Sequence, residues 1–319
     1  MTSVTVRVPA KVNLQLSVGP VRDDGYHDLV NVFHAVSLFD EVTATGLPEA
    51  AAGEDDPMTA GGVTVRVSVE GESADQVPLD ATNLAVRAAH ALGARAGRPL
   101  AVALHIRKAI PVAGGMAGGS ADAAAALVAC DALWGLGLGT DELTEIAAGL
   151  GSDVPFALLG GTAVGTGRGE KLTPLPDTGR YHWVFALADG GLSTAKVYAE
   201  CDLLREATGD HPAWPEVSAR LLAALEAGDP KELGESLIND LQPAAVMLFR
   251  PLARTLAAGR DHGALGALVS GSGPTCAFLT GSPDHAQELA LALGVADVSR
   301  ATLAAHGPVP GATVVATTP

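Results

Sequence analysis

Residues 111–124, Pro-Val-Ala-Gly-Gly-Met-Ala-Gly-Gly-Ser-Ala-Asp-Ala-Ala, constrain this chain more than any other segment. Four glycines fall within residues 114–119. Lacking Cβ atoms, they let the backbone reach positive φ and approach a ligand or another backbone closely. A run of strong helix formers follows, Ala121 to Trp134. The first N–H groups of a helix have no partner within it, so a glycine loop leading into one makes an anion site from backbone alone. Such a site suits a di- or triphosphate. Taken alone, the segment is equally compatible with an ordinary turn. Two familiar loops are excluded by spacing. A Walker loop needs Gly-Lys, and the sequence has no such dipeptide. A dinucleotide loop needs G-x-G-x-x-G, but Met116 stands two residues after Gly114.

Backbone chemistry matters here because side-chain charge is unfavourable to anions. The 319 residues include 20 Lys+Arg against 36 Asp+Glu, a formal net charge of −16. A chain this acidic has no general pull on nucleic acid or anionic lipid, so the expected partners are small molecules, with no nucleic acid and no membrane. Hydrophobic residues make up 48% and charged residues 18%, enough for a core and inconsistent with global disorder. The length allows two domains or one large one. Cys130, Cys201 and Cys276 are far apart in apolar surroundings, with no C-x-x-C pair. That argues against a disulfide scaffold or structural zinc and for a reducing cytoplasm. Met1 to Arg7 lacks a signal-peptide pattern. Gly263 to Pro283 is uncharged and long enough to span a membrane, but too rich in Gly, Ser and Pro to do so.

Val4, Val6 and Val8 alternate with polar residues and predict a strand, as does the Val-x repeat at 63–70. Residues 44–62 between them read as an exposed loop. Helix is expected over 83–96, with Asp80 or Thr82 as N-cap, then strand over 100–106, helix over 121–134 and helix over 142–150. Further on, strand is expected at 181–188, helices at 217–227 and 230–239, strand at 275–279, helix at 284–293 and a last strand within 307–319. Mixed elements in both halves predict an α+β protein of two domains, 1–164 and 165–319.

Three further places carry chemistry. Lys11, in Pro-Ala-Lys-Val-Asn-Leu, is the only lysine in the first hundred residues. It reads either as a solvated lysine at a strand end or as the partner of a buried carboxylate. Asp153, in Leu-Gly-Ser-Asp-Val-Pro, lies between apolar residues where Pro155 biases Val154 away from helix. It reads as a turn or capping residue, or as a buried acid needing a cation such as Lys11. Only 12 residues are aromatic, so the proximity of Tyr26, His27 and Phe33 allows either a hydrophobic cluster or a stacking platform for a base.

Taken together, Pro-Ala-Lys-Val-Asn-Leu at 9–14, the glycine loop at 111–124 and Ser-Gly-Ser-Gly-Pro-Thr-Cys-Ala-Phe at 270–278 resemble the three motifs of the GHMP kinase superfamily, in order and spacing. Gly-Tyr-His at 25–27 and Leu-Gly-Ser-Asp-Val-Pro-Phe at 150–156 narrow the resemblance to the branch acting on a cytidine diphosphate alcohol of the non-mevalonate isoprenoid route. The resemblance implies a ribosomal protein S5 domain 2-like N-terminal part and a ferredoxin-like C-terminal part. It implies transfer of phosphate from ATP, with Mg2+, to the tertiary 2-hydroxyl of the methylerythritol unit. It makes Lys11 and Asp153 the catalytic pair, and Pro111, Val112, Ala113, Gly114, Gly115, Met116, Ala117, Gly118, Gly119, Ser120 and Ala121 the phosphate loop. Asn83 and Lys108 match positions near adenine. Asn13, Tyr26, His27, Phe33 and Tyr198 match the cytidine side, with cytosine stacked on Tyr26. Ala113 and Ala117 stand where many relatives carry Gly, Met116 where Leu is usual, and Ala121 where Ser is frequent. Other small-molecule kinases of the superfamily, and a catalytically inactive nucleotide-binding member, are the competing readings.

Overall fold

The computed structural model describes residues 2–48, 58–60, 62–176 and 178–319. Of the exposed loop expected at 44–62, residues 49–57 and 61 lie outside the described residues, while 44–46 and 59–60 are strand instead, with Ala44 buried. The strands are β1 (Ser3–Val21), β2 (His27–Gly46), β3 (Thr59–Ala60), β4 (Val63–Gly71), β5 (Leu100–Lys108), β6 (Thr162–Gly167), β7 (Lys171–Leu175), β8 (Tyr181–Leu187), β9 (Ile238–Asn239), β10 (Gly266–Val269), β11 (Cys276–Thr280), β12 (Ala301–Gly307) and β13 (Thr313–Thr318). The helices are α1 (Leu84–Gly93), α2 (Gly118–Trp134), α3 (Thr140–Leu150), α4 (Val154–Leu159), α5 (Thr194–Thr208), α6 (Ala219–Ala227), α7 (Pro230–Glu235), α8 (Gln242–Leu248), α9 (Pro251–Asp261) and α10 (Pro283–Val295).

Val4, Val6 and Val8 do point into a core, at 0–2% exposure. Their strand runs on to Val21, and the alternation continues with it: Ala10, Val12, Leu14, Leu16 and Val18 extend the same buried face, while Lys11, Asn13 and Gln15 on the other face are buried by neighbouring elements. β1 pairs antiparallel with β2, which the sequence analysis did not anticipate. Residues 30–36 of β2 are all buried, so no period of two marks them. Irregularities in the β1–β2 register after Pro9 and after Asn13 re-aim the strand where Lys11 and Asn13 sit.

The larger sheet runs β13-β1-β2-β5-β4-β3, with β6 and β7 on the other part of β2 and β9 beside β1. The smaller, antiparallel sheet runs β10-β11-β8-β12. The boundary expected between 164 and 165 falls inside β6, and β7 and β13 both join the larger sheet. β13, at the far end of the chain, lies against β1, so sheet membership does not divide the chain at one point.

α2 packs against β1 and α1 with Ala121 and Ala123–Ala126 essentially buried. Small side chains allow this close approach, and dispersion between tightly packed backbones replaces large apolar groups. α1 comes so near the sheet that a Cβ on Gly93 would meet Val63 Cγ2 at 1.9 Å. Three further expectations needed correction. The helix expected over 230–239 stops at Glu235, and Ile238 and Asn239 pair with β1 instead. Asn83, not Asp80 or Thr82, caps α1. Pro155 does not keep Val154 out of helix; it stands in the first turn of α4, where its missing N–H costs nothing. Helices α5, α8 and α9 were unforeseen. Among the described residues, no helix is long and apolar enough to cross a membrane.

Candidate active site

β1 places Lys11 and Asn13 on one face, since residues two apart in a strand point the same way. Lys11 Nζ donates to Asn13 Oδ1 at 2.7 Å, and Asn13 Nδ2 donates to Asn31 Oδ1 on β2 at 3.0 Å. The Phe33 ring lies beneath, its centre 6.0 Å from Lys11 Nζ. Lys11 is 6% exposed, so the solvated reading fails. Its ammonium reaches Asp153 Oδ2 at 3.8 Å. Burial pushes Lys11 below the usual lysine range, while Asp153 pulls the other way. Asp153 precedes α4 but makes no side-chain capping bond. Its carboxylate is therefore held by Lys11 and open to the cleft, not spent on the helix.

The glycine loop connects β5 to α2. Ala113, Gly115 and Ala117 all have positive φ, at 52°, 74° and 61°. Gly115 is required by space as well: a Cβ there would lie 2.0 Å from Ser270 O. The second glycine turn, 270–273, thus packs directly on the first, and Ser270 Oγ donates to Gly115 O at 3.1 Å. Asn239 fastens that turn by donating to Val269 O and Gly271 O. At Ala113 and Ala117 an L-residue occupies the left-handed region, which costs about 1–2 kcal/mol. We expect Ala117→Gly to raise stability by about 1 kcal/mol, read as a higher urea midpoint at unchanged slope.

Across from the loop, Asp24 Oδ1 accepts from the Tyr26 N–H at 3.1 Å and Gly25 turns at φ 78°, presenting Tyr26 at 57% exposure. A core role for Tyr26 is excluded by that exposure. The Arg168 guanidinium, on the β6–β7 turn, lies 5.8 Å from its ring centre. His27 is buried, with Tyr198 of α5 at 5.3 Å between ring centres and Asp202 of α5 at 2.9 Å from Nε2. Burial and then the charge of Asp153 push the Tyr198 phenol up, so it stays a neutral donor.

These walls enclose one cleft of about 980 Å³. Of the residues expected there, Lys11, Asn13, Tyr26, His27, Pro111, Ala113, Gly114, Gly115, Ala117, Gly118, Gly119, Ser120, Asp153 and Tyr198 line it. Six do not. Phe33, Met116 and Ala121 are buried beneath the wall. Val112 faces a neighbouring cleft of about 220 Å³. Asn83 is committed to α1, accepting from Ala85 N and donating to Pro78 O. Lys108 is buried between Asp40 and Asp122, a triad treated below. Asn31, Arg168, Thr194, Asp202 and Ser272 line the cleft without having been foreseen. No local pattern marks them, apart from Ser272 within the second glycine turn.

A model of the GHMP kinases N terminal domain matches residues 83–161, and one of the GHMP kinases C terminal matches 221–296. The 4-diphosphocytidyl-2-C-methyl-D-erythritol kinase of Thermobifida fusca is 61% identical over 98% of this chain and 99% of its own. This chain belongs to that kinase family. The corresponding kinase of Streptomyces coelicolor is 58% identical, covering 98% of this chain and 99% of its own. A crystal structure of 4-(cytidine 5'-diphospho)-2C-methyl-D-erythritol kinase superposes on the present kinase with a TM-score of 0.73. It is 32% identical and covers 94% of this chain and 98% of that one. The α+β GHMP fold and the class of small-molecule kinase follow.

Proposed function

We propose that this kinase transfers the γ-phosphate of ATP to the 2-hydroxyl of 4-diphosphocytidyl-2-C-methyl-D-erythritol, in the non-mevalonate route to isopentenyl diphosphate. One observation carries the reading. A buried ammonium, Lys11, stands 3.8 Å from a carboxylate, Asp153, in a cleft that has a glycine loop on one wall and an exposed tyrosine on another.

Phosphoryl transfer asks the protein mainly to position groups and to stabilise spreading charge. The glycine loop and the free N–H groups at the start of α2 suit the triphosphate, and the helix dipole favours it. Gly118 supports this by letting backbone pass close: a Cβ there would sit 3.1 Å from Lys108 Nζ and 3.2 Å from Ile110 Cγ2. A tertiary alcohol is a weak nucleophile. Asp153 accepts its proton as the new bond forms, and Lys11 stabilises the developing alkoxide. Asn13 orients Lys11. Tyr26 and Tyr198 flank the cytosine. The residues present leave the charge of the ATP phosphates to a Mg2+ ion that ATP itself would carry, which would supply charge neutralisation. Among the described residues no group of three or more His, Cys, Asp or Glu could hold a metal, so the fit is to a metal carried by phosphates and water, with Ser120 Oγ as the protein's hydroxyl at the loop.

The direct test is ADP release with a panel of alcohols. Turnover is expected with the cytidine diphosphate alcohol and not with homoserine or mevalonate; the reverse, or no turnover at all, overturns the reading. The platform is tested by Tyr26→Ala. Base–aromatic stacking is worth about 1–3 kcal/mol, so KM for the cytidine substrate should rise roughly 5- to 150-fold, with KM for ATP unmoved. Tyr26→Phe keeps the π-face and should be nearly silent.

A further inference from the structure

His27 and Asp202 are 175 residues apart in sequence, yet His27 Nε2 and Asp202 Oδ1 meet at 2.9 Å. The pair joins the start of β2 to the middle of α5 and lines the substrate side of the cleft. Asp202 has no other hydrogen-bond or ion-pair partner among the described residues. It is the fourth residue after Tyr198, so both side chains leave the same face of α5. Tyr198 tilts against the His27 ring at 31° and sets its plane. Asp202 acts on something different, the position of the ring proton.

A carboxylate can only accept a hydrogen bond, so the Nε2 that faces it carries hydrogen. In a neutral imidazole the other nitrogen is then an acceptor. Nδ1 of His27 has no partner among the described residues, and it belongs to a residue lining the cleft beside Tyr26. We propose that Asp202 is a positioning residue for base selection: by holding the Nε2–H tautomer of His27, it presents Nδ1 as an acceptor for the exocyclic amino group of cytosine and against the carbonyl that uracil carries there. The inference rests on reading this wall as the cytidine site. It adds a residue that touches no base and acts through His27.

The test measures binding of CDP and of UDP to the full chain by calorimetry, for the wild type, Asp202→Ala and Asp202→Glu. Opposing two acceptors in a desolvated site should make the wild type prefer CDP roughly 5- to 150-fold. Asp202→Ala frees the tautomer, and the CDP:UDP ratio should fall at least about 5-fold. Asp202→Glu keeps an acceptor on a longer stem and should restore part of the preference. Nitrogen-15 spectra of the His27 ring should show the Nε2–H form in the wild type and lose its dominance in the alanine variant. The Asp202 side chain is 41% exposed, so the melting temperature should hardly move. A purely structural role for Asp202 would weaken CDP and UDP alike. An unchanged ratio in Asp202→Ala, in a protein whose wild type does bind CDP, overturns the proposal alone. Absence of CDP binding by the wild type overturns the cytidine reading and this proposal with it.

Discussion

Asp153→Asn should lower kcat by about 10²–10⁴, the range associated with losing a general base. The substitution keeps the shape of the side chain and removes its basicity. The structure makes the test clean for two reasons. Asp153 makes no capping bond to α4, so no helix contact is lost with the charge. Its side chain is 32% exposed, so no buried network collapses around it. Its ion-pair partner among the described residues is Lys11, 3.8 Å away, which keeps Asn13 Oδ1 as an acceptor at 2.7 Å. KM for both substrates should change little, and the melting temperature should hold. The decisive measurement is kcat under conditions where chemistry limits turnover. A variant with more than about a tenth of wild-type kcat would remove Asp153 from the proton-accepting role and leave it as an orienting group.

The second large effect concerns stability. Lys108 is buried with its ammonium between Asp40 and Asp122, the latter at 2.7 Å. Asp40 also accepts from the N–H groups of Ala109 and Ile110, just ahead of the glycine loop. Asp122 lies in α2, just after the loop. The triad therefore ties the entry of the loop to its exit. One ammonium faces two carboxyls, and burial pushes Asp122 up, to about 8, so the cluster is close to neutral at physiological pH. Lys108→Met removes the cation of the triad and leaves the buried Asp40 and Asp122 with no counter-charge. Breaking a buried pair from one side costs about 3–5 kcal/mol, and that loss is expected here in urea unfolding. Asp122→Asn, which mimics the protonated acid, should cost less than about 1.5 kcal/mol. If Lys108→Met melted like the wild type and only raised KM for ATP, Lys108 would be an adenine contact and the triad would not be structural.

Lys108 also shows where reading the sequence alone stops. Its place just before the glycine loop was legible, and motif resemblance put it beside adenine. Which atoms an ammonium meets depends on strands that are distant in the chain, and Asp40 lies 68 residues away. The same is true of Asp202 opposite His27 and of Asn239 under the second glycine turn. Each is an ordinary polar residue in an ordinary local context, and only chain crossing gives it a partner.

What the sequence by itself determined is local and conformational. Four glycines in six residues fix where backbone can come close, as Gly115 against Ser270 demonstrates. Alternating valines fix a buried face, and a run of alanines fixes a helix that can pack tightly. The order of three motifs was enough to name the superfamily, and the segments at 25–27 and 150–156 its branch. The tertiary structure decided the rest: that β2 exists, that Lys11 is buried, that Tyr26 is exposed, and which side chains hold the catalytic ones in place. Burial and pairing are properties of surfaces brought together over long separations in sequence. A strand covered on both faces carries no periodicity, and a buried charge carries no mark until its partner is in place.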